Sequence, residues 1–176
     1  DVRMVAHRAE YPATVEALDV GIVGCGFAGA ASGLFLACAG HRVTIYERVP
    51  EPGAVGAGIL LQPTGLAVLA ELGLLERMVV RGSRVESLHA ETHRGRTLFD
   101  LHYSDLAPGL FGLGVHRGAL FELLFSELGR TSASLRCGES VVRIAPAEAR
   151  MIVHGERTEL GAHDLVVVAD GARSRL

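Results

Sequence analysis

The pattern that most constrains the fold of this chain lies near its start, where Gly24-Cys25-Gly26-Phe27-Ala28-Gly29 reads G-x-G-x-x-G. The apolar run "LDVGIVG" leads into this pattern and is typical of a buried parallel strand. "AGAASGLFLACAG" then predicts a helix that ends at Gly40, and "HRVTIYE" predicts a second strand. A strand, a glycine-rich turn, a helix and a strand in this order indicate an α/β fold built on a parallel sheet.

The spacing of the three glycines also predicts a ligand. Gly24 would allow the tight turn, Gly26 would let a pyrophosphate approach the backbone, and Gly29 would let the helix pack close to the sheet. The helix N-terminus then presents free N–H groups and a partial positive charge to phosphates. Glu47 closes the second strand 23 residues after Gly24, where an acid can accept hydrogen bonds from a ribose. We therefore predict dinucleotide binding here, in preference to a purely structural glycine turn.

Composition excludes several other classes of protein. All 17 basic residues are arginine, so a mechanism that needs a lysine is excluded within these 176 residues. A net charge of −3 with scattered arginines argues against a nucleic-acid partner. Cys25, Cys38 and Cys137 show no C-x-x-C spacing, which is typical of a reduced cytoplasmic protein in which each cysteine is most simply a small buried hydrophobe.

One uncharged run could be mistaken for a membrane segment. Residues 20–40 carry no charge over 21 positions, which is long enough to span a bilayer. A buried strand followed by a buried helix explains the same run, and early glycines would weaken a spanning helix, so no integral membrane segment is expected. Residues 1–18 are charged and lack a long apolar stretch, which predicts a loosely ordered leader and not a signal peptide.

Four segments in a fixed order resemble a known family. They are "GIVGCGFAG…HRVTIYER", "GAGILLQPTGLAVLAELGLLE", "VHRGALFELL" and "DLVVVADGARSRL". Over about residues 19–176 the sequence is similar to the N-terminal portion of the group A FAD-dependent aromatic hydroxylases, which include p-hydroxybenzoate, salicylate and 6-hydroxynicotinate hydroxylases. The resemblance implies a Rossmann-like FAD-binding domain of the glutathione reductase type, with a parallel sheet and crossover hairpins, plus part of a β-sheet substrate domain.

The resemblance also implies an activity. FAD would be reduced by NADH or NADPH as co-substrate, and a small aromatic substrate would be hydroxylated with O₂ through a flavin C4a-hydroperoxide. The alternatives are a non-catalytic FAD- or dinucleotide-binding fragment and another FAD-dependent oxidoreductase. A disulfide reductase is disfavoured because residues 48–72 contain no cysteine pair, and a flavin-dependent halogenase because the chain has no lysine. The motifs assign no catalytic residue. Leu60 lies where some members of the family have a polar active-site residue, so no catalytic role transfers to it.

The matching motifs imply further cofactor-binding residues. Arg48 follows Glu47, and as a pair they would hold the ribose and offer a cation near the phosphates; a solvated loop arginine is the alternative. Arg117 opens a helix and would reach the ribityl-phosphate region of FAD. Asp170 ends the last predicted parallel strand, at the edge where open α/β sheets bind ligands. The alternative for Asp170 is an ordinary Asp-Gly turn with Gly171.

Apolar periodicity predicts two more helices. One would begin at Pro63, place leucines 66, 69 and 72 on one face, and end at Gly73. The other begins at Arg117 and would bury leucines 120, 123, 124 and 128.

Alternating segments predict β-hairpins. A substrate-side hairpin at about 83–104, turning at Arg94-Gly95, would interrupt an FAD-binding domain that spans 19–176, and a second hairpin would precede the last strand. His89 and His93 lie four apart on a strand and not on a helix, so no metal site is expected.

The last motif predicts a longer protein. Asp170, Gly171 and Ser174 match it, but its final arginine would be residue 177. We therefore expect the complete enzyme to continue past Leu176 into a later Gly-Asp motif, the rest of the substrate sheet and C-terminal helices. We expect the isolated 176-residue chain to be inactive.

Overall fold

The computed structural model describes residues 16–53 and 56–176. Most of the predicted leader, residues 1–15, lies outside the described residues. The described chain forms two compact units. We call residues 16–53 and 121–176 the parallel unit, and residues 56–120 the antiparallel unit.

The described residues form strands and helices in the following order. They are β1 (Asp19–Val23), α1 (Phe27–Cys38), β2 (Arg42–Glu47), β3 (Gly58–Leu61), α2 (Pro63–Glu71), α3 (Leu75–Val79), β4 (Ser83–Val85), β5 (Ser87–Glu91), β6 (Thr97–His102), α4 (Tyr103–Leu106), β7 (Gly112–His116), α5 (Arg117–Leu128), β8 (Ser134–Cys137), β9 (Val141–Ala147), β10 (Arg150–Gly155), β11 (Glu159–His163) and β12 (Leu165–Val168).

A four-stranded parallel sheet in the order β12-β1-β2-β8 forms the centre of the parallel unit. β1, α1 and β2 lie where the glycine pattern predicts them, and the last predicted parallel strand, β12, pairs with β1. β8 was not predicted. Its four residues, SLRC, contain a single large aliphatic side chain and therefore form no apolar run.

Helix α1 packs tightly on one face of this sheet. A Cβ at Gly33 would lie 2.8 Å from Cδ1 of Ile45 and 3.1 Å from Cδ1 of Leu128, so a larger residue there would require these side chains to shift. Ile22 and Ile45 are fully buried beneath the helix. The uncharged run at 20–40 is therefore a strand and a helix packed in a core. None of the helices in the described residues combines the length and apolar character needed to cross a membrane.

An antiparallel meander in the order β11-β10-β9 packs on the parallel sheet from the other side. β9 and β10 form the predicted second hairpin, and β11 extends it. The meander contacts β1 through His163, whose ring lies directly over Gly21. Because side chains alternate between the faces of a strand, Gly21 and Tyr46 face the meander while Ile22 and Ile45 face α1.

The antiparallel unit contains a three-stranded sheet in the order β3-β7-β4 and a separate hairpin of β5 and β6. The hairpin turns at Gly95, which has a φ of +75°, as its sequence predicts. Its assignment to a substrate-side domain stays a prediction. α2 begins at Pro63, buries Leu66 and Leu69, and is followed by Gly73 with a φ of +69°.

Two further predictions about side chains have different outcomes. Helix α5 begins at Arg117, and its leucines at 120, 123, 124 and 128 are all buried, as predicted. The prediction that each cysteine is a small buried hydrophobe is wrong for Cys38. Cys38 is exposed because it is the last residue of α1 and faces solvent, whereas Cys25 is buried and Cys137 is half-buried.

Candidate functional site

An open groove of about 660 Å³ lies in the parallel unit at the carboxyl ends of its parallel strands. The residues at these ends include Val23 of β1, Glu47 of β2 and Asp170 just after β12. Open α/β sheets bind their ligands at this edge, because the loops that follow neighbouring strands meet there. The groove is therefore the candidate functional site.

Close packing explains two of the three glycines beside the groove. Gly24 has a φ of +93°, and a Cβ there would lie 2.6 Å from the carbonyl oxygen of Ala169. Its N–H donates a hydrogen bond of 2.8 Å to the carbonyl oxygen of Tyr46. A Cβ on Gly29 would overlap the carbonyl oxygen of Gly24. The turn from β1 into α1 can therefore form only with glycine at positions 24 and 29.

Gly26 is different, because no packing contact requires it. No heavy atom lies within 4 Å of the position that its Cβ would take, and its φ is an ordinary −76°. It is the N-cap residue of α1, where no side chain caps the helix and the first turn contains no acid. A pyrophosphate can therefore approach the exposed backbone and the positive end of the helix dipole, as the glycine pattern predicts. The local structure fits a dinucleotide.

The carboxylate of Glu47 ties the glycine-rich turn to the end of β2. Its Oε2 accepts a hydrogen bond of 2.7 Å from the N–H of Cys25, and its Oε1 accepts one of 2.9 Å from the N–H of Val49. A carboxylate has about four acceptor positions, so both oxygens can still accept a ribose hydroxyl. The carbonyl oxygen of Glu47 also accepts a hydrogen bond of 3.0 Å from the N–H of Glu139. Glu47 therefore lies between the loops that follow β1 and β8.

Charged side chains of both signs line the rest of the groove. Arg48 lies beside Glu47, and Arg173 and Arg175 line the groove after β12. Asp170 also lines it, and the next residue, Gly171, turns the backbone with a φ of +89°. The arginines could balance the charge of a pyrophosphate.

The structure brings most of the predicted site residues together. Gly24, Glu47, Arg48 and Asp170 line one groove, and the turn and helix start that contain Gly26 and Gly29 adjoin it. Arg117 belongs to the antiparallel unit. There its N–H donates a hydrogen bond of 3.1 Å to the carbonyl oxygen of Ala57, and its side chain lies beside Gly56. Its contact with the cofactor stays a prediction.

Leu60 lies at a second, shallower groove of about 690 Å³ in the antiparallel unit. Its lining is mostly apolar and glycine-rich, with Arg81 and His116 as the basic side chains. No side chain at this groove is identified as catalytic, so the assignment of no catalytic role to Leu60 is unchanged.

Residues after β8 also line the first groove, and no pattern in the sequence predicts them. These are Glu139, Ser140, Val141 and Val142. Gly138, with a φ of +76°, turns the chain from β8 toward the groove. Gly138 was the one available signal for a turn at this point. It does not indicate a groove residue unless β8 is already known to belong to the parallel sheet.

The cysteines near the groove are suited to packing and not to redox chemistry. Burial, and secondarily the negative charge of Glu47, raises the pKa of the Cys25 thiol to about 12. Burial and the same carboxylate also raise the pKa of Cys137. A protonated thiol is a poor nucleophile and a poor metal ligand. Within the part of the chain that the structure describes, no cluster of three or more His, Cys, Asp or Glu side chains could hold a metal ion.

Comparison with known proteins identifies the family. Residues 17–176 match the family model described as an FAD binding domain. The chain is 26% identical over 161 residues to 6-hydroxynicotinate 3-monooxygenase of Bordetella bronchiseptica, covering 89% of this chain and 42% of that protein. It is 31% identical over 166 residues to salicylate hydroxylase of Pseudomonas putida, covering 90% of this chain and 37% of that protein.

The chain also resembles a solved structure. The chain is similar to 2-methyl-3-hydroxypyridine-5-carboxylic acid oxygenase, with a TM-score of 0.74 and 26% identity, covering 92% of this chain and 41% of that one. The chain spans about two fifths of the length of the curated relatives that it matches. The chain belongs to the FAD binding domain family, and its cofactor is FAD.

Proposed function

We propose that the complete protein is a NAD(P)H-dependent monooxygenase that hydroxylates a small aromatic substrate with O₂, and that this chain supplies its FAD site. The observation that carries the proposal is the groove in which Gly24, Glu47 and Asp170 meet beside the uncapped start of α1. The relatives named above are monooxygenases or hydroxylases, which favours this activity over a non-catalytic FAD-binding module.

The residues of this chain would bind and orient the cofactor. The backbone at Gly26 and the N-terminus of α1 would hold the pyrophosphate, with Arg48 contributing positive charge. Glu47 would accept hydrogen bonds from the adenosine ribose while it keeps the turn in place through Cys25. Asp170 would fix the cofactor from the end of β12, and Arg117 would contact the ribityl-phosphate region. FAD, once bound, supplies the redox chemistry that uses O₂.

The relatives suggest the class of substrate. Salicylate, 6-hydroxynicotinate and 2-methyl-3-hydroxypyridine-5-carboxylic acid each carry a hydroxyl group and a carboxyl group on one aromatic ring. We infer that the substrate of this protein is also a hydroxylated aromatic carboxylate. A location in the cytoplasm stays a prediction from the spacing of the three cysteines.

Replacement of Glu47 by Ala tests the cofactor site. Glu47→Ala should purify with less bound flavin, since it removes the ribose acceptor and the hydrogen bond that holds Cys25. We expect about a tenfold or greater loss of FAD affinity from the loss of a charged hydrogen-bond acceptor. Flavin fluorescence titration measures the affinity. Glu71→Ala, at the exposed end of α2, is the matched control and should bind FAD normally. Equal FAD affinity of the Glu47 variant and wild type would refute the site assignment.

The activity needs a separate test. The purified yellow protein should bleach when NADH or NADPH is added without oxygen, and the preferred nucleotide should bleach it faster. With oxygen and a hydroxylated aromatic carboxylate, a product heavier by one oxygen atom should appear in mass spectrometry. A protein that keeps its flavin and is bleached by neither nucleotide would instead be the non-catalytic FAD-binding module.

A further inference from the structure

A buried polar chain links the parallel sheet of the parallel unit to its meander. Nδ1 of His163, on β11, lies 2.6 Å from Oδ1 of Asp19 on β1. Nε2 of the same ring lies 2.8 Å from the hydroxyl oxygen of Tyr46 on β2. A carboxylate only accepts hydrogen bonds, so Nδ1 carries the proton and donates to Asp19. In the neutral ring, Nε2 then accepts the hydrogen bond of the Tyr46 hydroxyl.

Burial makes these hydrogen bonds important to the local structure. Tyr46 is 1% exposed and His163 is 4% exposed, so neither can replace its partner with water at little cost. In the described part of the chain, the imidazole of His163 is the one polar or charged group on a buried side chain apart from the tyrosine hydroxyls. The hydroxyl of Tyr46 lies 3.4 Å from the carbonyl oxygen of Leu160, a longer and weaker alternative to the bond with His163.

Two glycines make room for this chain of side chains. A Cβ at Gly21 would lie 2.6 Å from Cδ2 of His163, and a Cβ at Gly161 would overlap the hydroxyl oxygen of Tyr46. Neither glycine has a positive φ, so space and not backbone conformation requires them. The backbone around the Tyr46–His163 hydrogen bond is therefore shaped to this particular pair of rings.

Asp19 is itself held from the other side. Oδ2 of Asp19 accepts a hydrogen bond of 3.0 Å from the guanidinium of Arg150 on β10. The N–H of Asp19 donates a hydrogen bond of 2.7 Å to Oδ2 of Asp164, which lies between β11 and β12. Arg150 thus holds the carboxylate of Asp19 and Asp164 holds its backbone, which makes Asp19 a firm anchor for His163.

The other end of the chain of side chains reaches the cofactor groove. The carbonyl oxygen of Tyr46 accepts the hydrogen bond from the N–H of Gly24, and Tyr46 directly precedes Glu47. We propose that His163 is a positioning residue of the FAD site: anchored on Asp19, it holds Tyr46, and Tyr46 holds Gly24 and Glu47 in the geometry that binds the cofactor. His163 acts through Tyr46 and makes no contact with the ligand. The proposal rests on the groove being the FAD site.

Loss of the Tyr46–His163 bond should lower the fraction of molecules whose groove is ready to bind FAD. The apparent dissociation constant rises in inverse proportion to that fraction. The net value of one buried hydrogen bond corresponds to about a three- to tenfold change in an equilibrium constant. Tyr46→Phe removes only the hydroxyl and leaves the ring in place, so it should weaken FAD binding about three- to tenfold in the complete protein.

Tyr103→Phe is a matched control for a purely structural effect. Tyr103, in the antiparallel unit, is also 1% exposed, and its hydroxyl donates one hydrogen bond of 2.7 Å to Oε1 of Gln62. Both variants should lower the melting temperature by a similar amount, since each loses one buried hydrogen bond. If Tyr46 acts through the groove, only Tyr46→Phe should also weaken FAD binding.

A double-mutant cycle tests the role of His163. His163→Leu, Tyr46→Phe and the double variant should have similar FAD affinities, because each removes the same link. Gly161→Ala, which crowds the Tyr46 hydroxyl without removing a polar group, should weaken FAD binding in the same range. Flavin fluorescence titration well below the melting temperature measures all of these affinities.

The outcomes separate this proposal from the site assignment. If Glu47→Ala loses flavin while Tyr46→Phe binds FAD as tightly as wild type, the groove is the FAD site and the positioning role is refuted. The positioning role would also be refuted if the double variant lost as much FAD binding free energy as the two single variants together. His163 and Tyr46 would then affect FAD binding independently of each other. Should Tyr103→Phe weaken FAD binding as much as Tyr46→Phe, the effect is one of general stability and the proposal again fails.

Discussion

At the scale of single residues, the glycine pattern combines two different physical requirements. Gly24 and Gly29 are needed because the turn leaves no space for a Cβ, whereas Gly26 faces open space. The sequence predicts the tight turn at Gly24 and the close packing at Gly29 because the pattern is local and both follow from backbone geometry. The approach of a pyrophosphate to Gly26 stays a prediction. The sequence could not predict that Cys38 is exposed, since burial of one helix residue depends on which face of α1 meets the sheet.

The contrast between two glycines can be tested by substitution with alanine. Gly26→Ala meets no steric obstacle. Its free energy of unfolding should therefore be lower than that of wild type by at most about 1 kcal/mol, the usual effect of alanine at an N-cap. Its added methyl group should still hinder a pyrophosphate and weaken FAD binding. Gly29→Ala overlaps the Gly24 carbonyl and should lower stability by about 1–3 kcal/mol or more. Chemical denaturation and flavin titration distinguish the two effects; equal destabilisation by both variants would contradict the structure.

Thiol labelling tests the environment of the cysteines. At pH 8, exposed Cys38 should react with an alkylating reagent in the native protein. Cys25 should react only after unfolding, because it is buried and its pKa is raised to about 12. Mass spectrometry of labelled peptides gives the order of reaction, and Cys38→Ser should remove the fast reaction. Labelling of Cys25 at the rate of Cys38 in the native protein would show that the groove loop is open.

At the scale of elements, the strands and helices with strong apolar patterns could be predicted from the sequence, whereas contacts between distant strands could not. β1, α1, β2 and α5 have strong apolar patterns and were predictable. β8 has a single large aliphatic side chain and therefore no apolar run, so the groove residues that follow it were missed. The chain of Asp19, His163 and Tyr46 was missed for another reason. His163 lies 117 residues from Tyr46 and 144 residues from Asp19 in sequence, and only the packing of the meander on β1 and β2 brings the three side chains together.

The contact between β1 and the meander should make stability depend on pH in acid. Burial acts to raise the pKa of Asp19, but hydrogen bonds and charges from His163 and Arg150 outweigh it, so the pKa lies below its usual value. The unfolded chain therefore binds this proton more tightly than the folded chain. The stabilisation from Asp19 is complete above about pH 4 and is lost as pH falls through the lower pKa of the folded state.

Denaturation of wild type and Asp19→Asn between pH 2 and pH 6 measures this contribution. The free energy of unfolding of wild type should fall more steeply below about pH 4 than that of the variant. Asp100→Asn, on the exposed hairpin, is a control that should keep the steep fall. Parallel curves for wild type and Asp19→Asn would show that the carboxylate does not stabilise the fold.

At the scale of the whole molecule, the parallel unit presents a groove that fits the adenosine and pyrophosphate part of FAD. The resemblance of the sequence to a family was sufficient to predict the cofactor and the fold, because four motifs in order are far more specific than one. The contact of Arg117 with FAD follows from the resemblance and not from local pattern, and it stays a prediction.

The stabilisation of the folded protein by ligands tests whether the groove binds the adenosine and pyrophosphate part of FAD. FAD at about one hundred times its dissociation constant should stabilise the folded protein by about 2.7 kcal/mol and raise its melting temperature. ADP should also raise the melting temperature, since it offers the ribose and pyrophosphate that Glu47 and α1 would bind. Riboflavin at equal concentration lacks both and should have a smaller effect. A larger shift with riboflavin than with ADP would contradict the site.

The pairing of β12 with β1 also has a consequence for synthesis of the protein. Val20 pairs with Leu165, so β1 cannot form its hydrogen bonds with β12 until the last described strand has been synthesised. At roughly 5–20 residues per second, translation of the intervening chain takes on the order of ten to thirty seconds. During that time the β12-facing edge of β1, with the apolar Val20 and Ile22, has no native strand partner. The nascent chain is therefore exposed to wrong pairing until β12 leaves the ribosome, and chaperone binding at β1 would be most useful in that interval.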